Sequence, residues 1–324
     1  MNFYPIKLKP VSKNIIWGGT RLKEDYGKTA DFPNIAESWE LTVRPDGMSV
    51  IDNGKYSGMT LGEFIAENTE VMGTDCAGGD FPLLIKFIDS GDDLSIQVHP
   101  DEEYAAKVHG EHGKTEMWYV MDADEDAALI YGLREGVTRD DFNDHIGKGD
   151  ISTLLNKISV KKGDVFFIPS GLVHAICRGV LIAEIQQNSN ITYRIYDYDR
   201  IGTDGQKREL HTSHASNTVK CYTDAEIRDF SMASRVGRRK NLTDGKVLCD
   251  CKYFRVTKND VANKLTFTVD EKAFVSLLFT EAEDISVSCG GECLFISKGD
   301  SVFIPAGAGE VTVIGHGEFI LSEV

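Results

Sequence analysis

Along the chain, short apolar runs alternate with punctuation by Gly and Asp, a pattern that predicts many short strands and few helices. WELTVRP, FPLLIKFI, DLSIQVH, EMWYVM, AALIYGL, DVFFIPS, GVLIAEIQ, YFRVTK, KLTFTV, FVSLLF, ECLFIS and SVFIPAG all read as strands. Helical spacing is confined to a few places. In 60–73, Leu61, Phe64, Ile65 and Met72 recur behind Thr60, with Glu63 at the third helical position as in a capping box. Thr138 introduces RDDFNDHI, and ISTLLNKI after it reads as a further helix; a short helix follows His99, with Pro100 in its first turn. The expected class is mainly β.

One strand carries an unusual polar row. In LSIQVHPDEEYA, residues 94–105, Leu94, Ile96 and Val98 alternate with Ser95, Gln97 and His99. Successive side chains of a strand point to opposite faces, so one face is apolar and the other holds Ser, Gln and His. A solvated face normally draws on Lys, Glu and Thr. That row therefore calls for a chemical explanation.

An internal echo narrows the architecture. KKGDVFFIPSG at 161–171 returns as SKGDSVFIPAG at 297–307, each a turn, an apolar strand and then Pro-x-Gly. The first copy continues LVHAI and the second AGEVTV, so the histidine belongs to the first alone. The pattern G-x5-P-x-G-x2-H, Gly163 to His174, resembles the second motif of the cupins, small antiparallel jelly-roll barrels that hold a metal in the mouth. Two jelly rolls are expected: residues 1–240 as a metal-binding catalytic unit with helical insertions, and 241–324 as a smaller, degenerate barrel without a metal site.

If DLSIQVH lines such a barrel, Ser95, Gln97 and His99 face inward, where each polar group without a partner costs about 1–3 kcal/mol. A metal ion removes that cost. His99 offers a ring nitrogen and Gln97 a carbonyl oxygen on the same face; His174, on the loop after DVFFIPS, adds a second imidazole from across the barrel. The usual cupin spacing offers Glu103 as the carboxylate, but Pro100 opens a helix that carries it away. Glu116, heading the strand that returns beside DLSIQVH, is the expected ligand instead. A nitrogen and oxygen set without thiolate suits one zinc ion per chain, with iron, manganese or cobalt compatible by ligand type. His211 and His214 in LHTSHA share no inward strand and read as structural; His109, His112, His145 and His316 sit in polar turns or a surface-like helix.

Composition sharpens this reading by exclusion. The 324 residues hold 41% hydrophobic and 27% charged positions, as in a globular protein of about two domains. Lys and Arg total 35 against 51 Asp and Glu, a net charge of -16, which repels a nucleic-acid backbone. RRKN at 238–241, the densest cationic run, reads as a solvated turn. Neither the opening MNFYPIKLKPVSKNIIWGG nor any later segment supplies the roughly 20 apolar residues of a membrane span, so no membrane association and a cytoplasmic location are expected. Seven cysteines without a CxxC pair argue for reduced thiols, although Cys249 and Cys251 share a face of a strand.

Taken together, IIWGG at 15–19, KFIDSGDDLSIQVHPDEEYA, GKTEMWYV, GDVFFIPSGLVHAI and AEIQQNSNITYRIYDYDR resemble, in this order, the short bacterial form of the zinc-dependent type I mannose-6-phosphate isomerases, over residues 4–215. The resemblance puts the zinc ligands on Gln97, His99, Glu116 and His174, the set reached from strand geometry. It puts the active-site arginine on Arg194, the lysine before the ligand glutamate on Lys114, and the acidic residue upstream of the arginine on Glu184. Ser95 matches a serine on the same inward face, expected with Lys114 and Arg194 to bind substrate. What the resemblance implies is interconversion of mannose 6-phosphate and fructose 6-phosphate through an enediolate, with Glu184 or Lys114 as the base and a sugar phosphate as the small-molecule partner. Two rivals stand beside it: an iron-dependent dioxygenase of cupin type, against which Gln97 counts, and a non-catalytic sugar-phosphate binder. The oligomeric state has no signal in the sequence.

Overall fold

The computed structural model describes residues 3–148, 150–202, 205–233 and 242–324. RRKN at 238–241 and the division expected at 240/241 lie outside the described residues.

Among the described residues the fold is mainly β. Two antiparallel sheets face each other in the first part. One runs Val165–Ile168, Glu116–Ala123, Val180–Gln187, Leu83–Asp89, Glu37–Leu41 and Val11–Lys13; the other runs Leu155–Ser159, Ala128–Leu133, His174–Ile176, Ile96–Val98 and Tyr193–Tyr196. Trp17, Trp118, Leu129, Ile168, Leu172 and Ile176 fill part of the space between them. The outer face of the second sheet is covered by the helices Arg139–His145 and Thr212–Thr218 through Phe142 and Ala215. The outer face of the first packs Ile85, Phe87, Met117 and Ile185 against Phe254, Phe274 and Phe303 of the C-terminal part. Strands apolar on that side are thus free to present polar residues inward.

The C-terminal part is a nine-stranded antiparallel sheet around Phe267, Leu277, Phe279, Val302 and Phe319. It takes in two strands from the chain's beginning: Ile6–Lys9 pairs with Ser301–Ile304 and with Val50–Ile51. The sequence echo is realised bond by bond. In the first turn Asp164 Oδ2 accepts the Lys161 N–H at 3.0 Å, and in the second Asp300 Oδ2 accepts that of Ser297 at 2.7 Å. Gly163 (φ 93°) and Gly299 (φ 87°) then donate to Val120 and Phe279 at 2.8 Å each. A backbone at positive φ is open to glycine at little cost, which explains why both copies keep it.

Three local expectations are corrected. ISTLLNKI is a single 3₁₀ turn, Ile151–Leu154, followed by the strand Leu155–Ser159, because residues 155–159 pair with Ala128–Leu133. Pro100 precedes the helix Glu102–His109 instead of sitting in its first turn; Asp101 is the N-cap, accepting the Tyr104 N–H. His174 opens the strand His174–Ile176 rather than lying on a loop. The helix at Leu61–Glu67 has the expected capping box, and Thr138 with Asp141 forms a second. No helix among the described residues is long and apolar enough to cross a membrane.

Candidate metal centre and active-site cavity

The strand pairing assembles the site in rows. On one sheet His174 lies directly opposite Gln97, and Arg194 lies opposite Gln97 from the other side. Residues opposite each other in a ladder share a face, so His174, Gln97 and Arg194 form one row across three strands, with Ser95 and His99 above and below it. On the facing sheet Glu116 is opposite Gln186, and two residues along, Trp118, Glu184 and Lys86 form the next row. The geometry reverses one expectation: His174 stands beside Gln97, and Glu116 is the group that reaches across from the opposite sheet.

His99, Glu116 and His174 bring one donor atom each within 4.8 Å of one another, all buried. His99 Nδ1 lies 3.0 Å from the Ile191 carbonyl and His174 Nδ1 2.8 Å from that of Leu172. Only a protonated Nδ1 can bond a carbonyl, so both rings turn the bare Nε2 inward. Those two nitrogens are 3.1 Å apart. Burial holds His99 well below the usual imidazole range and lowers His174 to about 4, so neither ring carries a second proton at neutral pH. Glu116 Oε2 is 3.6 Å from His99 Nε2, and Oε1 3.5 Å from His174 Nε2. Apart from the Lys114 ammonium, 3.2 Å from Oε2, the carboxylate has no donor among the described residues. The Gln97 amide is 3.3 Å from His174 Nε2, and rotation of the amide by half a turn offers its oxygen there.

Two lone pairs facing each other beside a buried carboxylate repel unless a cation lies among them. The donor set therefore fits a metal ion of the imidazole and carboxylate class. Glu103 is exposed on its helix, away from this point.

Beside the donors lies a cavity of about 280 Å³ whose lining includes Ser95, Gln97, Lys114, Glu184 and Arg194. Every cavity residue expected from the sequence is thus brought together. Glu184 accepts the Trp118 indole N–H at 2.9 Å and stands 3.2 Å from Lys86. Burial opposes its charge, but Lys86 and Lys114 outweigh burial and hold the carboxyl below the usual range. Glu116 goes the other way: burial, with Glu184 nearby, pushes it up to about 7 despite Lys114. Two carboxylates in one pocket are driven apart by their environments, as in acid and base pairs. Lys86, buried between Glu184 and Glu37, stays charged because their carboxylates overcome the desolvation that would lower it.

The comparisons with known proteins agree over the whole length. Residues 6–129 match the model of the phosphomannose isomerase type I catalytic domain, and 244–324 that of the mannose-6-phosphate isomerase cupin domain. A mannose-6-phosphate isomerase of Bacillus subtilis is 37% identical, covering 100% of both chains. One from Streptococcus mutans is 36% identical over 93% of this chain and 92% of its own. The chain belongs to the type I mannose-6-phosphate isomerase family. A crystal structure of the Bacillus subtilis mannose 6-phosphate isomerase superposes with a TM-score of 0.86 at 34% identity, over 99% of each chain. A phosphomannose isomerase from Salmonella typhimurium shares the fold, with a TM-score of 0.77 at 18% identity over 98% of each. His174, Glu184 and Arg194 fall between the two matched family domains, in a stretch that the full-length relatives cover.

Within this family member, sequence reasoning missed Trp17, Glu37, Lys86, Asn190, Thr192 and Arg208, which also line the cavity. Lys86 had a signal: a lone lysine in the apolar run FPLLIKFI. Arg208 had none; it is held by Asp197 Oδ2, 2.7 Å from its Nε. His211, read as structural, accepts the Arg194 backbone N–H on Nδ1 at 3.0 Å, and its backbone N–H donates to the Arg194 carbonyl at 2.8 Å.

Proposed function

We propose that the protein interconverts mannose 6-phosphate and fructose 6-phosphate, as its relatives' names state for them. The observation that carries the reading is the uncompensated His99, Glu116 and His174 donor set at the edge of a cavity walled by Lys86, Lys114, Glu184 and Arg194. Gln97, His99, Glu116 and His174 are the residues to hold one Zn2+ per chain. When bound, the ion supplies Lewis acidity toward the sugar's carbonyl and hydroxyl oxygens.

The chain's own groups do the rest. Isomerisation takes the proton from C2 of the aldose and returns one to C1, and Glu184 and Lys114 both stand at the cavity wall as carriers of that proton. Trp118 and Lys86 fix the Glu184 carboxylate by its two oxygens, so it meets substrate in one orientation. Arg194, opposite Gln97, presents a planar fork to the phosphate or the developing enediolate oxygen, and Ser95 adds a hydroxyl on the same face. Its NH1 is tied to the Glu209 carbonyl at 2.7 Å, while the buried Nε has no hydrogen-bond partner among the described residues. Lys86, Lys114, Arg194 and Arg208 against Glu37 and Glu184 leave the lining net positive inside an acidic molecule, which favours a doubly charged phosphoester. We also assign residues 1–240 to the catalytic unit and 241–324 to a supporting barrel, in a cytoplasmic enzyme.

The test is a coupled assay for fructose 6-phosphate formed from mannose 6-phosphate by the purified protein. Turnover supports the reading. Tight binding of mannose 6-phosphate with no product supports a sugar-phosphate binder, and bound iron with oxygen uptake supports the dioxygenase.

A further inference from the structure

Lys114 stands where no ladder holds it. The strand bearing Glu116 begins at Glu116 itself, paired with Gln186 on one side and Ile168 on the other, and residues 112–115 belong to no helix or strand. Gly113, Lys114 and Thr115 are nonetheless buried, so each of their backbone N–H groups needs an acceptor. Lys114 gives its N–H to the Pro100 carbonyl at 3.0 Å. The other two go to side chains: Gly113 donates to Glu102 Oε2 at 3.0 Å, and Thr115 to Gln187 Oε1 at 2.9 Å.

Gln187 joins these bonds into one clamp. Its backbone N–H donates to the Thr115 carbonyl at 3.1 Å, as the next step of the ladder would, but its own carbonyl accepts the Ser189 N–H at 2.7 Å and Gln186 Nε2 at 2.8 Å. The carboxamide oxygen takes that carbonyl's place toward Thr115, and Nε2 donates to Glu102 Oε2 at 3.1 Å. Both contacts demand the same orientation of the amide, since half a turn would set NH2 against an N–H and oxygen against a carboxylate. Gly113 lies directly against the start of the helix Glu102–His109: a Cβ there would come within 2.6 Å of the Asp101 carbonyl carbon and the Glu102 nitrogen. The exposed His112 uses the other oxygen of Glu102, Oε1, at 2.6 Å, which leaves Oε2 to the clamp.

We infer that Gln187 and Glu102 are positioning residues, which hold residues 113–115 in the path that brings the Lys114 ammonium to the cavity wall and within 3.2 Å of Glu116 Oε2. Neither residue lines the cavity; both act through the main chain on either side of Lys114. What Lys114 does for the substrate rests on the isomerase reading. The path of the segment and the grip of Glu116 on a metal are measurable apart from turnover.

The test uses the full chain and three substitutions. Gln187→Met keeps the side chain's length and removes both amide contacts. Glu102→Ala removes the carboxylate at a partly exposed position, which keeps the test open should the buried Gln187→Met fail to fold. Glu102→Gln can set its amide oxygen where Oε2 stands and accept both N–H groups there. Three quantities are read: amide hydrogen exchange in a peptide spanning 113–116, zinc retained against a chelator, and kcat. In Gln187→Met and Glu102→Ala, exchange is expected to quicken, and zinc affinity and kcat to fall by about 10-fold or more, the scale for a lost outer-shell partner. Glu102→Gln should be near native in all three, as should His112→Ala. Native exchange and zinc retention in both Gln187→Met and Glu102→Ala would overturn the inference, as would a lower melting temperature with zinc retention and kcat unaltered. Equal impairment of Glu102→Gln and Glu102→Ala would overturn it too. Absence of turnover in the native protein would strike the isomerase reading alone, with exchange and zinc retention still deciding this one.

Discussion

Two imidazoles whose Nδ1 protons are committed to the carbonyls of Ile191 and Leu172 have only lone pairs left for each other, and Glu116 adds a negative charge beside them. Glu116→Gln keeps the shape and removes the charge. Metal affinity should fall by at least the roughly 10–100-fold that loss of an outer-shell partner alone produces, as read by metal analysis after dialysis. Arg194→Ala should lower kcat by about 100-fold or more, the scale for a lost oxyanion partner, with metal content unchanged; near-normal turnover would remove Arg194 from the mechanism. His211 acts one step back, through the Arg194 main chain. His211→Ala should reduce kcat more than it lowers the melting temperature. His211→Asn should restore part of the loss, because the Asn carbonyl oxygen can accept the same N–H. Equal activity in both variants would make His211 structural only.

At the scale of elements, what was legible depended on whether the signal was local. The capping boxes at Thr60 and Thr138 and the repeated Gly-Asp turn are bonds between near neighbours, so residue types a few positions apart reveal them. The strand after the 3₁₀ turn at Ile151 was not legible: Ile151, Leu154, Leu155 and Ile158 fit helical spacing, and only pairing with Ala128–Leu133 settles the strand. His174–Ile176 is three residues long, too short for any period to register. His99, Glu116 and His174, which the structure brings together, were readable because two motifs and one alternating row converge on them. The cavity walls were not, since Trp17, Lys86 and Arg208 meet through three separate segments. Gly171 ties one readable motif to the site. At φ 88° it donates its N–H to the His99 carbonyl at 2.9 Å, and a Cβ there would lie 2.8 Å from Lys220 Cδ and 3.0 Å from the Thr218 carbonyl oxygen. Gly171→Ala should destabilise by about 1–2 kcal/mol, seen as a lower melting temperature, and weaken metal retention through the displaced His99; unchanged values for both would show that this turn tolerates a side chain.

For the whole molecule, the first part and the C-terminal sheet are held together by a buried lysine, ion-paired within the first part and bonded across to the second, as well as by apolar packing. Lys28 Nζ lies 2.7 Å from Glu40 Oε1 and 2.7 Å from the Gly299 carbonyl oxygen in the repeated turn. Burial raises the Glu40 carboxyl above its usual range, and Lys28 offsets part of that rise. Lys28→Met leaves the buried carboxylate alone, which costs about 3–5 kcal/mol near neutral pH. A carboxyl raised in the folded state favours folding below its unfolded value and loses that contribution as pH climbs through its folded value. The variant's deficit in melting temperature should therefore be large at pH 8 and shrink toward acid, where Glu40 takes up a proton. A deficit independent of pH would place the effect in packing. The most direct test of the account as a whole is to strip the purified protein with a chelator and follow the conversion of mannose 6-phosphate to fructose 6-phosphate while zinc is titrated back. The account predicts no turnover in the stripped protein and recovery that saturates at one zinc per chain; full activity without metal, or zinc bound at that stoichiometry without turnover, would contradict it.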